Sequence, residues 1–140
     1  MNPQAYLTAI KTKLASSASI IHVDILQEYA TPNQGFFRAR LRLHNSDFLE
    51  VAEFFRIVDG QAQTVEYRFQ WMDRNRQVLR KRWDNATHHP GLLNFPHHVH
   101  VGAAGRLEPG RLLSILELVD LIEQEIGRGS GLGDAQSAQS

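Results

Sequence analysis

The chain has 140 residues, of which 42% are hydrophobic and 21% charged, so it is long enough to bury the core of one globular domain. It contains no cysteine, which excludes a disulfide scaffold, a cysteine nucleophile and thiolate zinc sites. Equal numbers of basic and acidic side chains, 15 of each, argue against non-specific nucleic-acid binding by bulk charge.

A helix is expected first. Asn2 and Pro3 form a helix-start signal, a capping side chain followed by a proline in the first turn. Tyr6, Ile10 and Leu14 then recur at helical spacing, which predicts an amphipathic helix that ends near residue 15.

Alternating segments predict about six strands after this helix. The clearest has Phe37, Ala39, Leu41 and Leu43 on one face and arginines at 38, 40 and 42 on the other. The others cover residues 21–26, 48–58, 64–72, 78–84 and 97–101. Because the connections are short, an antiparallel meander is expected.

A second helix is predicted from about Gly110 to Ile126, ended by Gly127. The expected organisation is one domain over residues 1–127 and a disordered tail over 128–140. The fold class is therefore α+β: a curved antiparallel sheet flanked by an N-terminal and a C-terminal helix. No apolar run is long enough to span a bilayer and no signal-peptide pattern is present, so we expect a cytoplasmic protein.

Five of the seven histidines lie between Arg82 and His100, in the segment RWDNATHHPGLLNFPHHVH. Histidine exchanges protons near neutral pH and also binds metals. Asparagine, proline and glycine punctuate the middle of this segment, which indicates a loop. The segment is therefore the best candidate for chemistry.

Spacing arranges these side chains. His98 and His100 share one strand face, and Arg82 and Asp84 share a face of the preceding strand, whereas His97 points the other way. The predicted site combines these four residues with His88 or His89, which fold over from the loop. As imidazoles at an exposed loop end, His98 and His100 are expected to contribute little to stability.

Further residues are candidate substrate contacts. Glu53 shares a strand face with apolar neighbours, so it is either paired or has a raised pKa; a solvent-facing position at an edge is the alternative. Tyr67 and Trp71 are core residues or a stacking platform for a base. Asn85 and His97, which flank the loop, complete the candidate set.

Three segments carry a family resemblance: YRFQW at 67–71, RWDNATHHP at 82–90 and FPHHVHV at 95–101. In this order they resemble the TumE-type toxins of prokaryotic type II toxin–antitoxin systems, over roughly residues 20–126. Thr87 stands where that pattern has a proline. The resemblance implies a growth-inhibiting protein neutralised by an antitoxin with a helix-turn-helix domain, and it implies no catalytic mechanism.

The leading hypothesis from the residues is a metal-independent endoribonuclease that needs no cofactor. His98 or His100 is the candidate base, His88 or His89 the acid, Arg82 the phosphate clamp, and Asp84 orients an imidazole. Small toxins of this size often cut RNA, which is an analogy.

Two alternatives stay open. In one, the histidines and Asp84 bind zinc, nickel or manganese. In the other, the protein blocks a cellular target without catalysis and the cluster is a structural polar network.

Overall fold

The computed structural model describes the backbone of residues 1–139 and the side chains of residues 1–127. Helix α1 spans Pro3–Ser16 and helix α2 spans Ile115–Gln139. Between them lie the strands β1 (Ile20–Ala30), β2 (Gln34–Leu43), β3 (Phe48–Val58), β4 (Gln61–Met72), β5 (Leu79–Asp84), β6 (His98–Val101) and β7 (Arg106–Pro109). They form one antiparallel sheet in chain order.

The α+β class and the two flanking helices are confirmed, and the strand count is one higher than expected. The additional strand is β7, which pairs with β6. Residues 110–114 are therefore a connection, and α2 begins at Ile115 instead of Gly110. Ser114 and Glu117 form a capping box there: the Glu117 amide donates to Ser114 Oγ at 3.2 Å, and the Ser114 amide donates to Glu117 Oε1 at 3.3 Å.

Helix α2 continues past Gly127, where the sequence predicted its end. The side chains of residues 128–140 lie outside the described residues, so a disordered tail stays a prediction. Within the part of the chain that the structure describes, no helix is both long and apolar enough to cross a membrane.

Both helices pack against the same face of the sheet, which we call the covered face. The alternation predicted for β2 is confirmed: Phe37 and Leu41 are buried there beside Val51 and Phe69, under Ile10 of α1 and Leu118 of α2. The remaining surface is the open face. It carries Phe36, Arg38, Arg40, Arg42, Glu50, Ala52, Phe54, Glu66, Arg68, Gln70, Arg82, Asp84, His98 and His100.

Glu53 connects the elements of the covered face. Its fully buried carboxylate accepts hydrogen bonds from the hydroxyls of Tyr6 and Thr64 and from the Ile115 amide, each at 2.8 Å. Burial raises the pKa of Glu53, and these three hydrogen bonds counteract that rise. The carboxylate thus joins α1, β4 and the start of α2, on the opposite side of the sheet from the predicted site.

Candidate functional site

Three histidine rings meet on the open face where the β5–β6 loop folds back over the sheet. The ring centroids of His98 and His100 are 5.0 Å apart, and His89 lies 5.0 Å from His98 and 5.9 Å from His100. One ring nitrogen from each lies within 4.8 Å of the other two. His88 is exposed, 6.5 Å from His89, and stands outside this histidine cluster. Of the two loop candidates, the structure therefore favours His89.

His98 is the fixed member of the histidine cluster. It is only 3% exposed. Its Nδ1 lies 3.0 Å from the carbonyl oxygen of Pro96, and its Nε2 lies 2.8 Å from Oδ1 of Asp84. The two contacts hold the ring at both of its nitrogens. The expectation that His98 is an exposed loop-end imidazole was wrong, because Asp84 opposes it on the neighbouring strand and the loop covers it.

Asp84 and Arg82 lie beside His98 as the spacing predicted. The Oδ1 of Asp84 also accepts from the Ala86 amide at 3.0 Å. The Nε of Arg82 is buried 3.4 Å from Asp84 Oδ2, and it makes no hydrogen bond to any residue whose side chain is described. The side chain as a whole is 27% exposed, and no hydrogen bond joins its terminal nitrogens to the described residues, so the outer end of the guanidinium is the part suited to an incoming anion.

His100 differs from His98 in that it makes no side-chain hydrogen bond to the described residues. Burial lowers its pKa, and the neighbouring charges of Arg82 and His98 lower it further, against the opposing effect of Asp84. The ring is therefore neutral at pH 7 and can accept a proton.

The histidine cluster forms one end of an open groove of about 670 Å³. The groove runs across the open face to Phe36 and Phe54 and passes Arg68 on β4. Sequence reasoning missed these two phenylalanines, because the pairing of Phe36 with Phe54 depends on the β2–β3 register. The arginine alternation of β2 marked this face but did not indicate aromatic residues on it.

The four predicted strand residues, Arg82, Asp84, His98 and His100, lie together in the structure. The other candidates lie apart from them. Tyr67 is buried on the covered face, where its hydroxyl donates to the Arg111 carbonyl at 2.9 Å and contacts Nδ1 of His97 at the same distance. His97 stacks on Tyr67 and points away from the histidine cluster, as predicted. Trp71 is also buried, and it donates to Asp47 at 3.0 Å. Neither aromatic ring is free to stack a base.

The Asn85 side chain forms hydrogen bonds with the backbone of β4. Its Oδ1 accepts from the Tyr67 amide at 3.1 Å and its Nδ2 donates to the Val65 carbonyl at 2.8 Å. The side chain thereby satisfies β4 backbone where β5 ends. Asn85 borders the groove, but its polar atoms are already used.

Gly110 is a further residue that sequence reasoning missed, having placed it in a helix. A Cβ there would lie 2.9 Å from the backbone nitrogen of His98 and 3.1 Å from its Cα. The absence of a side chain lets the chain after β7 pass directly against the backbone of His98. In the sequence, Gly110 is visible only as a glycine at the predicted start of the second helix, and nothing there indicates its close approach to His98.

Comparison with protein families identifies the family of this chain. The family model described as Toxin TumE matches residues 9–128. The chain belongs to the TumE toxin family. The resemblance seen in the motifs is confirmed, and as a TumE toxin the protein is the toxin component of a pair whose partner is an antitoxin. A comparison with curated proteins gave no significant match, and neither did a comparison with solved structures.

Proposed function

We propose that this TumE toxin is an endoribonuclease that cuts RNA without a metal ion. The observation that carries the proposal is the histidine cluster beside the Asp84–His98 pair and Arg82, at the end of an open groove. Cleavage of RNA through its 2′-hydroxyl requires a base, an acid and a cation for the phosphate, and this arrangement supplies each.

His100 is the base in this mechanism, because its lowered pKa keeps it neutral. It takes the proton of the 2′-hydroxyl as the 2′-oxygen bonds to phosphorus. The bond from phosphorus to the 5′-oxygen breaks, and protonated His89 gives that oxygen its proton. Ring nitrogens within 4.8 Å of each other can contact two oxygens of one phosphate group.

Arg82 balances the charge of the phosphate, and His98 is a fixed wall of the site. The terminal nitrogens of the partly exposed Arg82 guanidinium can contact two phosphate oxygens at once, while its buried Nε stays beside Asp84. His98 keeps its position through Pro96 and Asp84. Asp84 is thus a positioning residue.

The biological setting follows from the same proposal. RNA as substrate places the toxin in the cytoplasm. The motif resemblance supports an antitoxin that carries a helix-turn-helix domain, encoded beside the toxin.

Expression in the native host tests this function. The parent chain should arrest growth, co-expression of the adjacent antitoxin should relieve the arrest, and RNA from arrested cells should contain new 5′ ends. His100→Ala should be soluble and harmless, whereas Arg74→Ala, outside the groove, should remain toxic. Soluble parent protein that leaves growth unchanged, or a toxic His100→Ala variant, would contradict the proposal.

A metal-dependent enzyme is the second candidate, and one observation favours it. His89, His98 and His100 each bring one nitrogen within 4.8 Å of the other two. The Pro96 carbonyl also orients His98 through Nδ1, as carbonyls do for metal-bound imidazoles. Against it, Nε2 of His98 is already engaged by Asp84.

Metal analysis separates the two candidates. The leading proposal expects well under one zinc, nickel or manganese per purified chain and activity that survives a chelator. About one metal per chain, lost together with activity in His89→Ala, would establish the metal-dependent enzyme instead. A toxic chain that cuts no RNA under either condition would leave the non-catalytic binding protein.

A further inference from the structure

Two phenylalanines lie on the open face, beside Tyr29 and Ala52 and among charged side chains. Phe36 and Phe54 lie directly opposite each other on β2 and β3, and each is half-buried. Tyr29 stacks on Phe36 with ring centroids 5.8 Å apart and planes inclined by 23°. The Arg56 guanidinium lies 5.8 Å from the Phe54 ring centroid. We call Phe36 and Phe54 the aromatic platform.

The face around the aromatic platform is basic although the whole chain is neutral. From β2 to β5 it carries arginines at 38, 40, 42, 56, 68 and 82 against acids at 50, 66 and 84, an excess of three positive charges. Glu50 pairs with Arg38 and Arg40. Among the described side chains, Arg68 donates a hydrogen bond to Gln70 at 3.2 Å and forms no ion pair. A polyanion is the complementary ligand for this surface.

The aromatic platform and the histidine cluster belong to one groove. Strand pairing places Arg38, Ala52, Arg68, Asp84 and His98 in one row across the sheet, next to the row of the two phenylalanines. Because the side chain of Ala52 is short, the groove is deeper between Arg38 and Arg68. From β3 to β6 the groove crosses about 14 Å, three strand spacings, which a few nucleotides of extended chain can follow.

We infer that the aromatic platform stacks an unpaired base of the substrate, so the toxin acts on single-stranded RNA. This inference rests on the proposed ribonuclease function. Unpaired bases expose the faces that aromatic rings stack on, whereas the bases of a duplex are already stacked on each other. Arg68 holds the intervening backbone, and the histidine cluster receives the phosphate to be cut.

Binding of an uncleavable probe tests the inference apart from catalysis. The probe is a fluorescent ten-nucleotide RNA with 2′-O-methyl sugars, which lack the attacking hydroxyl, used as a single strand and as a duplex. Fluorescence anisotropy with the full chain should give the lower Kd for the single strand. Phe54→Ala and Phe36→Ala should each raise that Kd by about 5- to 150-fold, the range of one lost stack.

Matched variants separate stacking from folding. Phe54→Tyr keeps an aromatic face and should bind as the parent does, whereas Phe54→Leu keeps apolar bulk and should bind weakly. Leu112→Ala removes an exposed apolar side chain outside the groove and should have no effect. Equal affinity for strand and duplex, or a Phe54→Leu chain that binds like the parent, would overturn the inference.

The outcome is distinguishable from that of the proposed function. A chain that cuts RNA with no dependence on Phe54 overturns the aromatic platform alone. A chain that binds single strands through Phe54 yet cuts none supports the platform and removes the enzyme. If Phe54→Leu loses antitoxin binding while its RNA binding is unchanged, the face is a protein interface and the inference is wrong.

Discussion

His98 and His100 lie side by side in the histidine cluster, yet their removal should affect the protein in different ways. Replacing His98 by alanine removes a ring that is 3% exposed and contacts both Pro96 and Asp84. Replacing His100 removes a half-buried ring without a side-chain hydrogen bond to the described residues. We therefore expect His98→Ala to lose stability and activity, and His100→Ala to lose activity alone.

The loss of stability expected for His98→Ala follows from the contact that His98 makes with Asp84. A hydrogen bond to a charged group contributes about 1.5–3 kcal/mol, and Asp84 without His98 keeps the Ala86 amide as its short partner. At roughly 2–4 °C per kcal/mol for a domain of this size, His98→Ala should lower the Tm by about 3–12 °C. His100→Ala should cost less than about 1 kcal/mol.

A double-mutant cycle measures this directly. Asp84→Ala, His98→Ala and the double variant should show a coupling of about 1.5–3 kcal/mol in urea unfolding, followed by the fluorescence of the buried Trp71 and Trp83. The exposed Arg106–Glu108 pair is the matched control, with an expected coupling of about 0–1 kcal/mol. A His98→Ala protein as stable as the parent, or a coupling no larger than the control's, would refute the buried pair.

Three further predictions concern the chemistry of the site. Because His100 must be neutral to act as the base and its pKa is lowered, the acid-side limb of the pH–rate profile should lie below about pH 6.5; a limb well above that value would remove His100 as the base. Arg82→Lys should reduce RNA cleavage at least about tenfold while Arg74→Ala leaves it unchanged, since lysine cannot contact two phosphate oxygens in one plane. Gly110→Ala should displace His98 and lower stability by about 1–3 kcal/mol in the same urea assay, and an unchanged midpoint would show that the connection moves aside freely.

Local patterns were sufficient for much of the fold. Alternation of arginine with apolar residues in β2 predicted which face is buried, because side chains in a strand alternate strictly. The same rule placed Glu53 with Leu49, Val51 and Phe55 on one face, and all four are buried. It could not show that Glu53 would accept three hydrogen bonds from distant segments, because those depend on how both helices dock.

The boundaries near α2 required tertiary information. Four residues, Arg106–Pro109, are too few for a pattern, and they form β7 because β6 offers an unpaired edge. This pairing moves the helix start to Ile115. The Ser114–Glu117 capping box was visible in the sequence and would have corrected the predicted start at Gly110.

The sequence predicted which residues form the candidate site, but it did not predict how deeply His98 is buried. Two-residue spacing brought Arg82, Asp84, His98 and His100 to one face, as the β5–β6 register shows. The burial of His98 arises from the loop above it and from Gly110 beside it, which no spacing reveals.

The ends of the RNA products test the central claim most directly. A defined single-stranded RNA is incubated with the purified chain in the presence of a chelator, and the product termini are identified by mass spectrometry. Attack by the 2′-hydroxyl predicts a 2′,3′-cyclic phosphate and a 5′-hydroxyl, formed by the parent and by Arg74→Ala but not by His100→Ala. Products with a 3′-hydroxyl and a 5′-phosphate that form only when a metal ion is added would contradict the account.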